Sequence, residues 1–249
     1  MVVLTDEQLA ALRDVRAVWP DADLLLIGAQ ALAAHIDMSH RHTEDLDLAV
    51  AVSLAEFPAE LPHRPGWEQH PKRTHHFISP CGESVDIVPA GPDLRSSGTL
   101  EWPDGHTMSL VGFDLAFAHA DAMRWDDVEL LLPSAPTLAL KMRAWLDRPV
   151  EREKDLRDLA QLFQQHVGED DARRWEDEVP EDLDFEVVSA FLLGRDLAAI
   201  CDALHRPHLT LFFERLRPAK LAAATTAWVS DPWVRAHRTL LALRRGLAF

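Results

Sequence analysis

The fold is decided by the stretch LLLIGAQALAAHIDMSHRHTEDLDLAVAV, which occupies residues 24–52. Its last part is an apolar strand that carries two carboxylates, Asp45 and Asp47. Successive side chains of a strand point to opposite faces, so the two acids share a face with small alanines while leucine and valine occupy the other. The pattern predicts a strand with one core face and one acidic face.

The acidic face predicts a metal site. Two like charges on one side of a buried strand are costly unless a cation lies between them. Carboxylate oxygens favour a hard divalent ion such as Mg²⁺ or Mn²⁺, and no Cys or His stands at zinc-ligand spacing around the pair. We therefore predict that Asp45 and Asp47 bind metal. The alternative interpretation is an edge strand whose polar face is solvated.

A glycine turn precedes the acidic strand. Residues 23–27 are a short, mostly apolar run, Gly28 interrupts it, and residues 29–36 form a small-residue helical segment. A strand, a glycine and a helix in this order let backbone N–H groups and the positive end of a helix meet a phosphate. The stretch predicts an anion site beside a cation site, as a nucleoside triphosphate with Mg²⁺ requires.

The same residues resemble a known family. Gly28 and Ala29, followed by HRHTEDLDL at 40–48, are similar to the nucleotidyltransferase superfamily with its polymerase-beta-like fold. They resemble most its AbiEii-type toxin branch, whose members carry a glycine motif, an Arg, a Ser or Thr, and then DxD. The resemblance implies that Gly28, Ala29, Arg41 and Thr43 bind the nucleotide.

A third acid stands in a later apolar strand. Residues 74–79 and 83–88 predict two strands joined by a Pro-Cys-Gly turn, which is typical of a hairpin. Asp86 alternates with apolar residues in the second strand. The resemblance implies that Asp86 joins Asp45 and Asp47 as a third metal ligand or acts as the catalytic base. The alternative is an isolated acid at a strand end.

Two acids and a lysine follow in the C-terminal half. Asp155 and Asp158 are neighbours on one helix face because they are three residues apart. Together with Lys141 and the run KDLRDL at 154–159, they resemble a second AbiEii-type motif. This resemblance implies that Lys141 contacts nucleotide phosphate and that the two acids hold this region in place or assist the chemistry. The alternative is a set of surface ion pairs, Lys154 with Asp158 and Arg152 with Asp155.

The remaining pattern predicts the architecture. The resemblance implies that residues 1–133 form a nucleotidyltransferase core of the α+β class, a small mixed sheet with flanking helices. Residues 134–249 predict a C-terminal helical bundle packed against that core, with its helices interrupted by prolines and by Gly194. Finer predictions are short helices at 53–61 and 113–124 and a loop at 90–105.

Composition argues against several kinds of partner and location for this chain. The chain has 249 residues and a net charge of −16, which argues against broad electrostatic binding of nucleic acid. The sequence has neither a run of 18 apolar residues nor a signal-peptide pattern, which predicts a cytoplasmic protein with no membrane span. Cys81 and Cys201 are too few for a disulfide framework.

Together these patterns predict a metal-dependent nucleotidyltransferase. It would transfer an NMP from an NTP such as ATP to an acceptor, which could be RNA or tRNA, a protein hydroxyl or a small molecule. The toxin-branch resemblance implies a toxin with a cognate antitoxin. The alternative is a catalytically inactive member of the fold that binds partners, and Ala29 favours it because this residue replaces the usual second Gly or Ser of the glycine motif.

Overall fold

The computed structural model describes residues 4–38, 45–58, 60–176, 178–225 and 231–248. The chain divides into two compact units. The first comprises Met1–Ala34 and Ser39–Ser134, and the second comprises His35–Met38 and Ala135–Phe249. None of the helices in these described ranges is long and apolar enough to cross a membrane.

The first unit is built on a mixed sheet. The strands of the chain are β1 (Leu24–Leu26), β2 (Asp45–Val50), β3 (Glu68–Gln69), β4 (His76–Ile78), β5 (Ser84–Pro89), β6 (Thr99–Glu101), β7 (Thr107–Ser109), β8 (Ala120–Trp125) and β9 (Val128–Pro133). Seven of them form one sheet in the order β3-β4-β5-β2-β1-β9-β8, and β6 pairs with β7. The flanking helices are α1 (Asp6–Val18), α2 (Gly28–Ala33), α3 (Pro92–Ser97) and α4 (Phe113–Ala118).

The acidic strand β2 lies inside this sheet. It pairs in parallel with β5 on one side and antiparallel with β1 on the other. The edge-strand interpretation of Asp45 and Asp47 is therefore wrong, because both edges of β2 are hydrogen-bonded. The alternation of the sequence is confirmed, since Leu46 and Leu48 are fully buried while Asp45 is exposed and Asp47 half-buried.

The acidic face of the sheet becomes apolar beyond the carboxylates. Ala49 lies on the same face as Asp47, and it forms a buried cluster with Leu25 and Ala90. Phe113 and Phe117 of α4 pack against this cluster. The helix therefore covers the distal part of the face, and the carboxylates stand at the end where β2 begins.

The second unit consists of helices. They are α5 (Ala135–Leu138), α6 (Lys141–Asp147), α7 (Glu153–Gln165), α8 (Val188–Ile200), α9 (Arg206–Arg215), α10 (Pro218–Thr225) and α11 (Pro232–Leu247). The mixed sheet with flanking helices, followed by C-terminal helices, confirms the predicted fold class.

Several finer predictions are wrong. The predicted loop at 90–105 contains α3 and β6, and the predicted helix at 113–124 ends at Ala118, after which β8 pairs with β9. The predicted helix at 53–61 is replaced by two 3₁₀ turns, Leu54–Glu56 and Leu61–His63. Pro58 lies between these turns and cannot donate a helical hydrogen bond.

Gly194 does not interrupt a helix. It lies inside α8, where a Cβ atom would overlap the carbonyl oxygen of Leu243 in α11. Gly246 of α11 is its counterpart, since a Cβ there would overlap the carbonyl oxygen of Phe191. The missing side chains let the backbones of the two helices approach each other closely, which a helix-breaking interpretation of glycine cannot foresee.

Gly194→Ala and Gly246→Ala should each destabilise the second unit. The added methyl group forces α8 and α11 apart, and overpacking of this kind typically costs about 1–3 kcal/mol although alanine favours helix formation. Gly168→Ala is the matched control, because a methyl group there would meet no other described part of the chain within 4 Å. Urea unfolding followed by circular dichroism measures all three, and an unchanged midpoint for Gly194→Ala would contradict the packing.

Candidate active site

The two acidic strands lie side by side in the first unit. Asp47 of β2 stands directly opposite Asp86 of β5, and Asp45 stands opposite Ser84. Neighbouring strands are about 4.8 Å apart, and residues paired across them share a face. The sheet thus places all three predicted carboxylates on one face, at the end where both strands begin.

The glycine turn lies against the same carboxylates. Gly28 follows β1 with a φ of 73°, and a Cβ atom on it would overlap the carboxylate of Asp47. The Ile27 N–H donates to the carbonyl oxygen of Asp47 at 2.9 Å, which fixes the turn beside β2. Only glycine satisfies both the positive φ and the close approach.

Ala29 follows Gly28 and points its methyl group into the protein interior, with 1% of the residue exposed. A small side chain is thus accommodated in the interior directly after the glycine turn. Two other predicted nucleotide-binding residues, Arg41 and Thr43, lie outside the described residues.

His76 is a site residue that the sequence interpretation missed. Its Nδ1 atom lies 2.5 Å from Oδ1 of Asp86, and the histidine is buried in β4 directly opposite Asp86. When Asp86 is ionised, Nδ1 is the donor of this hydrogen bond. The position of the hairpin turn predicts this pairing. His76 and Asp86 are both five residues from Cys81, which lies at the centre of the turn.

Ser84 was also missed. Its hydroxyl oxygen is buried and has no hydrogen-bond partner among the described residues. It lies on β5 opposite Asp45, on the acidic face. An orphaned buried hydroxyl beside a carboxylate is a polar atom that a ligand oxygen or a water molecule can satisfy.

A second histidine, His70 directly after β3, contacts His76. The N–H of His70 donates to the carbonyl oxygen of His76 at 2.9 Å, and their rings meet edge to face with centroids 5.6 Å apart. The pKa of His70 is lowered by loss of hydration and by the positive charges of Arg73, His76 and Lys72. One row across the sheet therefore runs from His70 through His76, Asp86 and Asp47 to the Gly28 turn.

The donor set decides which metal fits here. Carboxylates on neighbouring strands suit Mg²⁺, which commonly takes one or two carboxylates and completes its shell with water and substrate phosphates. In the described part of the chain, no three His, Cys, Asp or Glu side chains are grouped so that they could hold a metal ion. The donors that this face offers are therefore carboxylate oxygens, the donor type that Mg²⁺ takes.

The second predicted cluster is an ion network in the second unit. Lys141 Nζ lies 2.6 Å from Oδ2 of Asp158 and 3.2 Å from Oδ1 of Asp155. Arg152 Nη1 lies 2.9 Å from Oδ2 of Asp155. The pair of Arg152 with Asp155 is as anticipated, but the partner of Asp158 is Lys141 rather than Lys154.

This network is not on the surface. The side chains of Asp155 and Asp158 are 4% and 0% exposed, and that of Lys141 is 17% exposed. Burial by itself would raise the pKa of Asp155, but the charges of Lys141 and Arg152 outweigh it, so this pKa lies below its ordinary value of 3.8. The contacts join α6 to α7 and give all three predicted residues a structural role.

The fold and this site together define a mixed α/β domain with carboxylates in register beside a glycine turn. No protein-family model matches the sequence, and no curated protein matches it. The crystal structure of an antigenic nucleotidyltransferase-like protein from Paracoccidioides brasiliensis matches with a TM-score of 0.40 and 14% identity, over 63% of this chain and 74% of that chain. A likeness this low establishes no shared activity.

Gly28→Ala should disrupt the acidic face. A residue with a Cβ pays about 1–2 kcal/mol for a left-handed backbone, and here the methyl group also displaces the carboxylate of Asp47. Gly82→Ala is the matched control, since Gly82 has a φ of 84° and a methyl group there would meet no other described residue within 4 Å. Chemical unfolding should show the larger loss for Gly28→Ala, and equal losses would contradict the contact with Asp47.

Lys141→Met should destabilise the second unit by about 3–5 kcal/mol, because it removes the ammonium group that contacts the buried carboxylates of Asp155 and Asp158. Lys154→Met removes an exposed lysine from the adjoining helix and should change stability by less than about 0.5 kcal/mol. Urea unfolding at neutral pH measures both variants.

The loss of stability in Lys141→Met should also depend on pH. Because the folded-state pKa of Asp155 is lowered, its ionic stabilisation is fully present above about pH 4 and disappears as the pH falls through the folded-state value. The difference between wild type and Lys141→Met should therefore shrink in acid. A difference that stays constant down to acid pH contradicts an ionic role for the network.

Proposed function

We propose that the chain is a metal-dependent nucleotidyltransferase, which transfers an NMP from an NTP to an acceptor hydroxyl. The observation that carries the proposal is the placement of Asp47 opposite Asp86, beside the turn at Gly28. Two carboxylates and a glycine turn on one face supply a cation site next to an anion site. The toxin role implied by the sequence resemblance, with a cognate antitoxin as partner, belongs to the same proposal.

In the proposed reaction, the acceptor oxygen forms a bond to the α-phosphorus of the NTP. The bond to the bridging oxygen breaks, and pyrophosphate leaves with the electron pair. Mg²⁺ held between the NTP phosphates and the carboxylates of this face, Asp47 and Asp86 with Asp45 beside them, would offset the triphosphate charge and lower the pKa of the acceptor hydroxyl.

Residues of the chain would move the proton and bind the phosphates in this reaction. Asp86 would serve either as a ligand of the ion or as the base that accepts the proton of the acceptor hydroxyl, and His76 orients it by holding Oδ1, so that Oδ2 remains for one of these tasks. Backbone N–H groups after Gly28 donate hydrogen bonds to phosphate oxygens. Lys141 is proposed to contact nucleotide phosphate on sequence resemblance alone, because its structural partners are Asp155 and Asp158.

A second candidate is a non-catalytic protein that uses the same fold to bind a partner. Its support is that the described residues offer no group of three metal ligands and that His76 already engages Asp86. Under this alternative, the hydrogen bond between His76 and Asp86 is a permanent part of the acidic face. No nucleotide would then be consumed.

Calorimetry with NTPs tests the site directly. Wild type should bind an NTP in the presence of Mg²⁺ and should bind neither Mg²⁺ alone nor the NTP with EDTA at comparable affinity. Asp47→Asn and Asp86→Asn should each weaken this binding at least about tenfold, since each removes one of the carboxylates that share the ion. Asp93→Asn is the control because it changes an exposed acid of the same unit.

Transfer of label separates the two candidates. Incubation with α-³²P-labelled NTPs and cell extract should label an acceptor with wild type and not with Asp47→Asn. Expression without an antitoxin should arrest growth only for the active form. Mg²⁺-independent binding that Asp47→Asn leaves intact, with no labelled acceptor, would overturn the enzyme proposal in favour of the binding protein.

A further inference from the structure

Two aromatic rings of the second unit are exposed and contact each other. Trp175 is 73% exposed and Phe185 is 40% exposed. Their ring centroids are 5.4 Å apart, and the ring planes are inclined by 31°. Contiguous apolar area on a protein surface commonly marks a site of interaction with a partner. These two residues, which we call the aromatic pair, are therefore a candidate docking surface.

The aromatic pair is held in a fixed arrangement by Arg174, which is buried. The guanidinium donates hydrogen bonds to the carbonyl oxygens of Gly168, Val167 and Phe185, at 2.6, 2.8 and 3.0 Å. Its Cζ atom also lies 4.7 Å from the centroid of the Phe185 ring. Binding to side chains that are already ordered costs less conformational entropy than binding to mobile ones. The surface is thus pre-organised.

The segment that carries the aromatic pair is strongly acidic. Residues 169–186, which we call the acidic segment, contain ten Asp and Glu residues against two arginines, which is a net charge of −8. These 18 of the 249 residues therefore account for half of the chain's net charge of −16. Charge of one sign concentrated on a short segment produces a local potential that attracts the opposite charge.

Part of this charge is neutralised within the second unit. Three acids around Phe185 pair with arginines of α11, namely Asp182 with Arg245, Asp184 with Arg238 and Glu186 with Arg235. Four other exposed acids of the acidic segment form no ion pair with any residue that the structure describes, namely Glu169, Asp170, Glu178 and Glu181. The acidic segment therefore keeps negative charge that an external cation can match.

Two of these acids lie close to the aromatic pair. Glu178 follows Trp175 by three residues, so their Cα atoms are at most about 11 Å apart. Glu169 acts on the residue that anchors the pair, since burial lowers the pKa of Arg174 and the charges of Glu169 and Asp171 oppose this shift. Such separations are comparable with the Debye length of about 8 Å at physiological ionic strength, so these charges act on a ligand at the rings.

Exposed rings beside acids select a cationic partner. The face of an aromatic ring attracts a cation, and the planar guanidinium of arginine also stacks on it. A nucleic acid or an anionic membrane could contact the rings, but the acidic segment would repel its phosphates. A second copy of the chain would bring the same net charge of −8 to the interface. The surface therefore fits an arginine-rich polypeptide better than any of these.

We propose that the aromatic pair and the acidic segment form a docking surface for an arginine-rich segment of a partner protein. One guanidinium stacks on Trp175, and neighbouring arginines pair with Glu169 and Glu178. The surface lies in the second unit and uses none of the residues assigned to nucleotide or metal. The proposal is therefore independent of the proposed activity.

Peptide binding without nucleotide or Mg²⁺ tests the rings. The probe is a fluorescein-labelled peptide of alternating arginine and glycine, titrated by fluorescence anisotropy, and its citrulline counterpart is the uncharged control. Wild type should bind the arginine peptide, and Trp175→Ala should weaken binding about five- to tenfold, because the stacked cation loses its ring. Trp175→Phe keeps a ring and should stay within about threefold of wild type. Trp233→Ala is the matched control, since Trp233 is exposed in the same unit but stacks on His237.

Salt dependence of the same titration tests the acids. Glu169→Gln/Glu178→Gln should weaken binding of the arginine peptide at least about threefold and reduce its dependence on salt concentration, because two contact charges are removed. Glu101→Gln/Glu214→Gln removes the same charge from exposed positions outside the acidic segment and should leave both quantities unchanged. Urea unfolding should give wild-type midpoints for all variants, since every substituted side chain is exposed.

Several results would overturn the proposal. It is overturned if wild type does not bind the arginine peptide, if the citrulline peptide binds equally well, or if Trp175→Ala and Trp233→Ala have the same effect. Equal weakening by the two acid double variants would reduce the binding to attraction by net charge. Binding of oligouridine that depends on Trp175 would make the surface a nucleic-acid platform instead. Dimerisation that Trp175→Ala abolishes, measured by sedimentation, would make a second copy of the chain the occupant.

Discussion

Repulsion between carboxylates on neighbouring strands is the constraint on which the site depends. Asp47 and Asp86 are fixed opposite each other by the parallel pairing of β2 and β5. Two unit charges about 5 Å apart repel by roughly 3 kcal/mol at an effective dielectric constant of about 20, and by less where water screens them. The imidazole of His76 engages one of the two, and Gly28 brings backbone against the other. The strand register therefore joins the two carboxylates, the imidazole and the glycine turn in one cluster, which the presence of acids in the sequence alone does not specify.

Local alternation was readable from the sequence, whereas register between distant strands was not. The period of two in DLDLAV correctly separates the buried Leu46 and Leu48 from Asp45 and Asp47. It contains no information on which residue of another strand lies opposite, because register is set by the whole pattern of core contacts. The placement of Asp86 beside Asp47 thus came from a family resemblance rather than from periodicity. His76 could have been predicted, since a hairpin turn fixes register locally and pairs His76 with Asp86.

The roles of Gly28 and Gly194 likewise depend on tertiary contacts that the local sequence does not reveal. A sequence pattern indicates that Gly28 can turn the chain, and the structure adds that the carboxylate of Asp47 occupies the space of its missing side chain. For Gly194, local propensity suggests the end of a helix, but tertiary packing against α11 overrides it. Similarly, the exposed or buried state of Asp155 and Asp158 follows from which face of α7 packs inward. Their spacing alone fits surface ion pairs as well as the buried network with Lys141.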